Sequence, residues 1–322
     1  MPMKKLLIVL WFGKFPNYFE LYLDSCSHNR SWNWMIFTDQ DVDEYSVPEN
    51  VEIVRTRFSE IKARICKCLK VNLSNKAGPY KLCDFRPFYG YIFSHEINGV
   101  GGEGYEYWGH CDIDVIWGNL SKFYPDEIIR QYDRFLIWGH LTMYRNTPDN
   151  NEMFRRLDFK NVNYKIIVNS KYNWAIDEYS KYSLLRIQEK LDCYQIYRDR
   201  DAIADIAPYD GYQICDGAGY IAPSVMSPLD YVRVEPGAIY IKRSKDEAEE
   251  EKAYAHFQKR DFDILPLNDD GQYYVLSNTI CTDKDYKGRV TIKKSNRKWE
   301  IKRAQCGKIL EIIFSRYRKN RR

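Results

Sequence analysis

Tyr107-Trp108-Gly109-His110-Cys111-Asp112-Ile113-Asp114-Val115-Ile116-Trp117-Gly118-Asn119-Leu120 reads as a short apolar strand running into two carboxylates. Side chains alternate faces in an extended backbone, so Asp112 and Asp114 are expected on one side with Ile113 in the core. A carboxylate pair just beyond an apolar strand of an α/β sheet lies where such sheets bind ligands, at the carboxyl ends of strands. Hard oxygen donors favour Mg²⁺ or Mn²⁺, and an ion held with open positions can take a diphosphate. Carboxylates that only satisfy backbone donors are the alternative. Asp199-Arg200-Asp201, Asp261-Phe262-Asp263 and Asp283-Lys284-Asp285 repeat the spacing in polar surroundings and read as solvated turns. Only the pair at 112 and 114 sits among Trp108, Ile113, Val115, Ile116 and Trp117, where unpaired charge is costly to bury.

Toward the N-terminus, Lys4 to Gly13 reads as a strand opening onto a glycine, and Phe19 to Cys26 has helical spacing with Phe19, Tyr22, Leu23 and Cys26 on one face. Strands follow at Trp34 to Phe37, ending in Thr38-Asp39, and at Val51 to Val54. This alternation predicts an α/β fold with a mainly parallel central sheet flanked by helices. Gly78-Pro79 opens a helical stretch from Tyr80 despite Pro87. Within it, Lys81 and Asp84 share a face, suited either to a ribose, sugar or phosphate or to an ion pair with each other. Phe135 to His140 is a further strand, and its His140 is either a sugar or phosphate ligand or a histidine satisfied within the fold. Residues 180 to 207 read as helix and then loop.

The whole chain of 322 residues carries +4, but residues 284 to 322 hold 15 Lys and Arg against 3 Asp and Glu. That tail therefore carries +12 and the remainder −8. Nine cysteines without C-x-x-C spacing indicate reduced thiols in a cytoplasmic setting, and Cys66-Lys67-Cys68 reads as two thiols on a helix rather than half a metal site. No apolar run reaches membrane-spanning length, and no secretory signal is recognisable. Aromatic content of 16% suits carbohydrate handling without requiring it.

Trp11-Phe12-Gly13, Phe37-Thr38-Asp39, Tyr80-Lys81-Leu82-Cys83-Asp84-Phe85-Arg86-Pro87 and Trp108 to Asp114 together resemble a family of bacterial proteins assigned as glycosyltransferases and long catalogued as a domain of unknown function. The resemblance covers most of residues 4 to 260. It implies a GT-A-like fold whose D-x-D pair, Asp112 and Asp114, holds Mn²⁺ or Mg²⁺ on the diphosphate of a nucleotide-sugar donor, a UDP-sugar in the first instance. His256, in His256-Phe257-Gln258-Lys259-Arg260, resembles the late histidine that returns to the metal in GT-A enzymes, with Lys259 near the departing diphosphate. Phe12, Gly13 and Asp39 are then expected at the nucleoside, and Lys81, Asp84 and Arg86 at the ribose, sugar or phosphate. Asp177 and Glu178 resemble the acidic motif that serves the acceptor hydroxyl, although carboxylates on a solvated helix read the same way.

Residues 1 to 260 are accordingly expected to form the catalytic domain and 261 to 322 a small β-rich appendage. A hairpin is expected about Asp269-Asp270-Gly271, and a basic amphipathic helix through Cys306, Ile309, Leu310, Ile313, Phe314 and Tyr317. Such a tail suits the inner face of an anionic membrane carrying a glycan or glycolipid acceptor, as in bacterial surface polysaccharide synthesis; no nucleic-acid partner is expected. The rival readings are a metal-dependent phosphohydrolase, for which five histidines are few, and a non-catalytic carbohydrate-binding or nucleic-acid-binding protein, which needs no carboxylates in an apolar strand.

Overall fold

A computed structural model describes residues 3–74, 77–99, 104–159, 162–178, 180–209, 213–216, 227–243, 247–258, 261–276 and 278–286. Its centre is a seven-stranded sheet. The strands used below are β1 (Lys5–Trp11), β2 (Asn33–Thr38), β3 (Val51–Arg55), β4 (Tyr107–Cys111), β5 (Val115–Trp117), β6 (Arg134–Trp138) and β7 (Leu141–Arg145). Across the sheet the order is Ile196–Tyr197, β6, β7, β4, β1, β2, β3. β3, β2, β1 and β4 run parallel, while β7 lies antiparallel to both β4 and β6. The expected α/β architecture with a mainly parallel sheet is therefore present.

Sequence explains why β1 lies at the centre. Its run Lys-Leu-Leu-Ile-Val-Leu-Trp is apolar on both faces, as a strand covered on both sides requires. Leu7 and Val9 join one core with Phe19, Tyr22 and Trp117, whereas Leu6 and Ile8 join the opposite core with Ile61, Ile65 and Phe85. Helix α1 (Phe19–Ser27) covers the first face through Phe19, Tyr22, Leu23 and Cys26, the stripe its spacing predicts. Helix α2 (Phe58–Leu69) buries Ile61, Ile65 and Leu69 at four-residue intervals. Its start is capped by the Glu60 carboxylate, which accepts from the Arg57 N–H at 3.0 Å. Cys66 and Cys68 are free, half-buried thiols on this helix.

Residues Pro79–Phe88 form a 3₁₀ helix rather than an α-helix, with Pro79 at its first turn and Pro87 near its end. At Gly109 of β4 a side chain has no room, because a Cβ would lie 2.3 Å from the Thr142 carbonyl oxygen of β7. That close approach is why a glycine interrupts an otherwise bulky strand.

A second sheet runs Ser227–Leu229, Gln213–Asp216, Ile203–Tyr209, Tyr254–His256, β5. The strand Ile203–Tyr209 lies partly in the stretch expected as helix and loop, where the described helix is the single turn Leu185–Gln188. A third, six-stranded sheet joins Glu250–Lys252, Ala238–Lys242, Tyr231–Glu235, Tyr273–Val275, Thr279–Cys281 and Asp263–Ile264. Residues on both sides of position 260 share it. The expected hairpin about Asp269 does not form, because Tyr273–Val275 pairs with Val232–Val234 and Asp263–Ile264 pairs in parallel with Thr279–Ile280. Burial of Tyr273 and Val275 on the 231–242 strands outweighs the local turn signal. Among the described residues no helix is long and apolar enough to cross a membrane. The expected basic tail helix lies outside the described residues.

Candidate functional site

β1, β2 and β4 run parallel, so Gly13, Asp39 and Asp112 emerge at the same end of the sheet. Gly13, at φ +107, donates its N–H to Asp39 Oδ1 at 3.2 Å, which ties two of these strand ends together. Its backbone lies in a region that favours glycine. Beside them a cavity of about 250 Å³ is lined by Trp11, Phe12, Tyr80, Cys83, Arg86 and Asp112 among others.

Beyond Cys111 the backbone bends through Asp112-Ile113-Asp114 before β5 resumes, instead of continuing as the extended strand that the alternation predicts. Asp112 donates its N–H to the His140 carbonyl at 3.3 Å. Ile113 is buried as expected, and both carboxylates still turn to one place. There His256 Nε2 lies 3.5 Å from Asp114 Oδ1 and 4.0 Å from Asp112 Oδ2.

Strand register delivers that histidine. Tyr254–His256 pairs antiparallel with β5, placing His256 opposite Val115, and parallel with Ile203–Tyr209, placing it opposite Asp205. Asp205 Oδ1 stands 2.8 Å from His256 Nδ1 and accepts from Gln258 Nε2 at 3.0 Å. Tyr254, two residues before His256 and on the same face, places its hydroxyl 2.9 Å from His140 Nδ1. The rings of His140 and His256 stack with centroids 4.5 Å apart.

Electrostatics follow from these contacts. Burial would lower the pKa of His256, but Asp114 and then Asp205 outweigh it and hold the imidazole up at about 10. Burial, reinforced by the charge on His256, pushes His140 down to about 3 and keeps it neutral. Burial pushes the Asp205 carboxyl up, but the hydrogen bond from His256 prevails and lowers it.

Arg86, expected at the ribose, sugar or phosphate, is the hub of a second set. One arm pairs with Asp112 Oδ1; the other donates at 2.9 Å both to Asp177 Oδ2 and to the Gly139 carbonyl. Asp177 is buried behind it, and its carbonyl accepts from Arg134 Nη2 at 3.1 Å. Burial raises the Asp177 carboxyl above its ordinary range. Asp177, expected to serve an acceptor hydroxyl, is therefore placed to anchor Arg86. Its neighbour Glu178 is exposed and packs over Gly139, where a Cβ would lie 2.6 Å from Glu178 Oε1.

Lys81 and Asp84 are not brought to this place. Both are buried and paired at 2.7 Å, and Lys81 Nζ also donates to the carbonyls of Ile167 and Tyr172. Asp84 accepts the Trp174 N–H at 2.8 and 2.9 Å. The ion-pair alternative is what the fold uses, joining residues 79–88 to 167–174. Lys259 lies outside the described residues.

The structure thus gathers Asp112, Asp114, His256 and Arg86, with Asp177 behind them. Ligand atoms of Asp112, Asp114 and His256 all lie within 4.8 Å of one another, as do those of His140, Asp205 and His256. Asp205 was not singled out from the sequence. Its signal was the same as that of Asp112: a carboxylate inside an apolar run, Ile203-Ala204-Asp205-Ile206.

Fold and site define a mixed α/β protein with an acid–histidine cluster at the carboxyl ends of its parallel strands. The chain belongs to the family of unknown function DUF6625, which it matches over residues 7–284. No curated protein and no solved structure matches it.

Proposed function

We propose that the protein is a metal-dependent glycosyltransferase of GT-A type, moving a sugar from a nucleotide-diphosphate donor to a glycan or glycolipid. The observation that carries this reading is the convergence of Asp112, Asp114 and His256 beside a cavity at the ends of β1 and β4. The parallel order β3, β2, β1, β4 supports it, because it opens a ligand crevice at those strand ends.

The donor set suits Mn²⁺, with Mg²⁺ as the alternative. Two carboxylates supply hard oxygens and an imidazole supplies a nitrogen, which Mn²⁺ accepts more readily than Mg²⁺ does. Arg86 and the proton on His256 supply the positive charge that Asp112 and Asp114 face, and a divalent ion held by the same oxygens and by Nε2 would displace that proton. When bound, the ion offsets charge on the departing nucleoside diphosphate. Phe12 and Trp11 line the place for the nucleoside, and Arg86 orients Asp112 at the rim. The exposed Glu178 is the remaining acidic candidate on the acceptor side. The basic tail suits an anionic membrane face, where a lipid-carried acceptor would be met.

Thermal denaturation with nucleoside diphosphates, with and without Mn²⁺, tests the donor site. A ligand that binds only the folded state raises the midpoint. A Mn²⁺-dependent rise with one nucleotide is expected, absent from an Asp112→Asn, Asp114→Asn double variant. No rise with any nucleotide contradicts the proposal.

A further inference from the structure

His256 offers its two ring nitrogens to two different sets of ligands. Nε2 faces Asp112 and Asp114, and Nδ1 faces Asp205; His140 stacks on the ring and forms a second candidate ligand group with Asp205 and His256. A single ring cannot complete both triples with the same nitrogen. Which one an ion would enter depends on which nitrogen carries the proton, and that is set by the hydrogen bond made by the other.

We infer that Asp205 is a positioning residue for metal binding: it holds the Nδ1–H of His256, so that the Nε2 lone pair is directed to the ion held by Asp112 and Asp114. This rests on the reading of that pair as a metal site. Three observations carry it. Asp205 and His256 are register partners on adjacent parallel strands, so their 2.8 Å contact is fixed by the sheet and not by a flexible loop. Gln258 donates to the same Asp205 oxygen at 3.0 Å, which holds the carboxylate in place and occupies it. His140 has its own Nδ1 held by the Tyr254 hydroxyl and its ring stacked on His256, which limits rotation of the His256 ring. Asp205 therefore stands behind the ligand as its hydrogen-bond acceptor, an arrangement that fixes ring orientation and strengthens the nitrogen donor.

The test uses the full chain with Mn²⁺ alone, its affinity read from the free-ion electron paramagnetic resonance signal. Asp205→Ala is expected to weaken Mn²⁺ binding about 10- to 100-fold, as loss of such partners typically does. Asp205→Asn, whose amide oxygen can still accept from Nδ1–H, is expected to recover part of the loss. Wild-type affinity in a folded Asp205→Ala variant overturns the inference. Nitrogen-15 spectra of histidine-labelled wild-type protein loaded with Zn²⁺ decide it independently of whether the variants fold. Metal on Nε2 with a protonated Nδ1 is expected; metal on Nδ1 places the ion with His140 and Asp205 and overturns it. Failure of the wild-type chain to take up Mn²⁺ at all defeats the metal reading itself and this inference with it, whereas uptake insensitive to Asp205 defeats only the latter.

Discussion

Arg86 Nη1 stands 2.9 Å from Asp177 Oδ2, and the other arm of the same guanidinium grips Asp112. One cation thus joins a buried carboxylate to the first residue of the D-x-D pair. The planar fork does this by presenting a separate arm to each carboxylate. Arg86→Met leaves Asp177 buried and unpaired, a change that costs about 3–5 kcal/mol when a buried pair is broken from one side. Urea unfolding is expected to show that loss, with a smaller one for Arg86→Lys. Equal stability of Arg86→Met and wild type would mean that Asp177 is neutral or otherwise satisfied.

The Lys81–Asp84 pair makes the opposite prediction about ligands. Because Lys81 ties Asp84 to the carbonyls of Ile167 and Tyr172, Lys81→Met is expected to cost about 3–5 kcal/mol of stability. Calorimetric nucleotide affinity, measured where the variant is folded, is expected to stay near that of wild type. A stable variant that has lost nucleotide binding would return Lys81 to the donor site.

Gly109 couples the fold to the site, since its strand carries Asp112 at its end. Gly109→Ala puts a methyl 2.3 Å from Thr142 O and 2.8 Å from Met143 Cγ, forcing β4 and β7 apart. Chemical denaturation is expected to show a loss of about 3 kcal/mol, at the upper end of what overpacking usually costs. A loss of only a few tenths would show that the two strands part easily.

Acid sensitivity has an identifiable contributor in Glu96. Burial pushes its carboxyl up, but hydrogen bonds from Arg64 at 2.6 and 2.5 Å outweigh that and bring it below its ordinary value. A carboxyl with a lower pKa folded than unfolded contributes stability that is whole above the unfolded value of about 4.3 and disappears as pH falls through the folded one. Glu96→Gln is therefore expected to be less stable than wild type at neutral pH, by about 1 kcal/mol, with the gap closing toward low pH. A gap constant across the acid range would assign the effect to packing.

Periodicity made the central sheet readable. Leu6 to Trp11 and Trp34 to Phe37 are apolar on both faces because both faces are covered, and α1 shows its buried stripe directly. Asp112 and Asp114 were legible because charge in apolar surroundings needs a partner, whereas His256 stood out only through the family resemblance. Their geometry was not legible: the bend at 112–114 and the pairing of Asp205 with His256 depend on strand register between segments 51 residues apart. The ion pairs of Asp177 and Lys81 were not legible for a related reason. A buried ion pair and a ligand contact use the same residue types, and only burial and distance separate them. The hairpin about Asp269 failed because a turn signal is local while Tyr273 and Val275 find their partners on a distant strand.

Donor turnover addresses the proposed activity most directly. The full chain, with Mn²⁺, is incubated with a panel of nucleotide-sugars, and free nucleoside diphosphate is measured against an Asp114→Asn control. Release from one nucleotide class, dependent on Mn²⁺ and lost in the control, is the predicted result. Folded, Mn²⁺-loaded protein that neither binds nor cleaves any nucleotide-sugar would contradict the assignment as a glycosyltransferase.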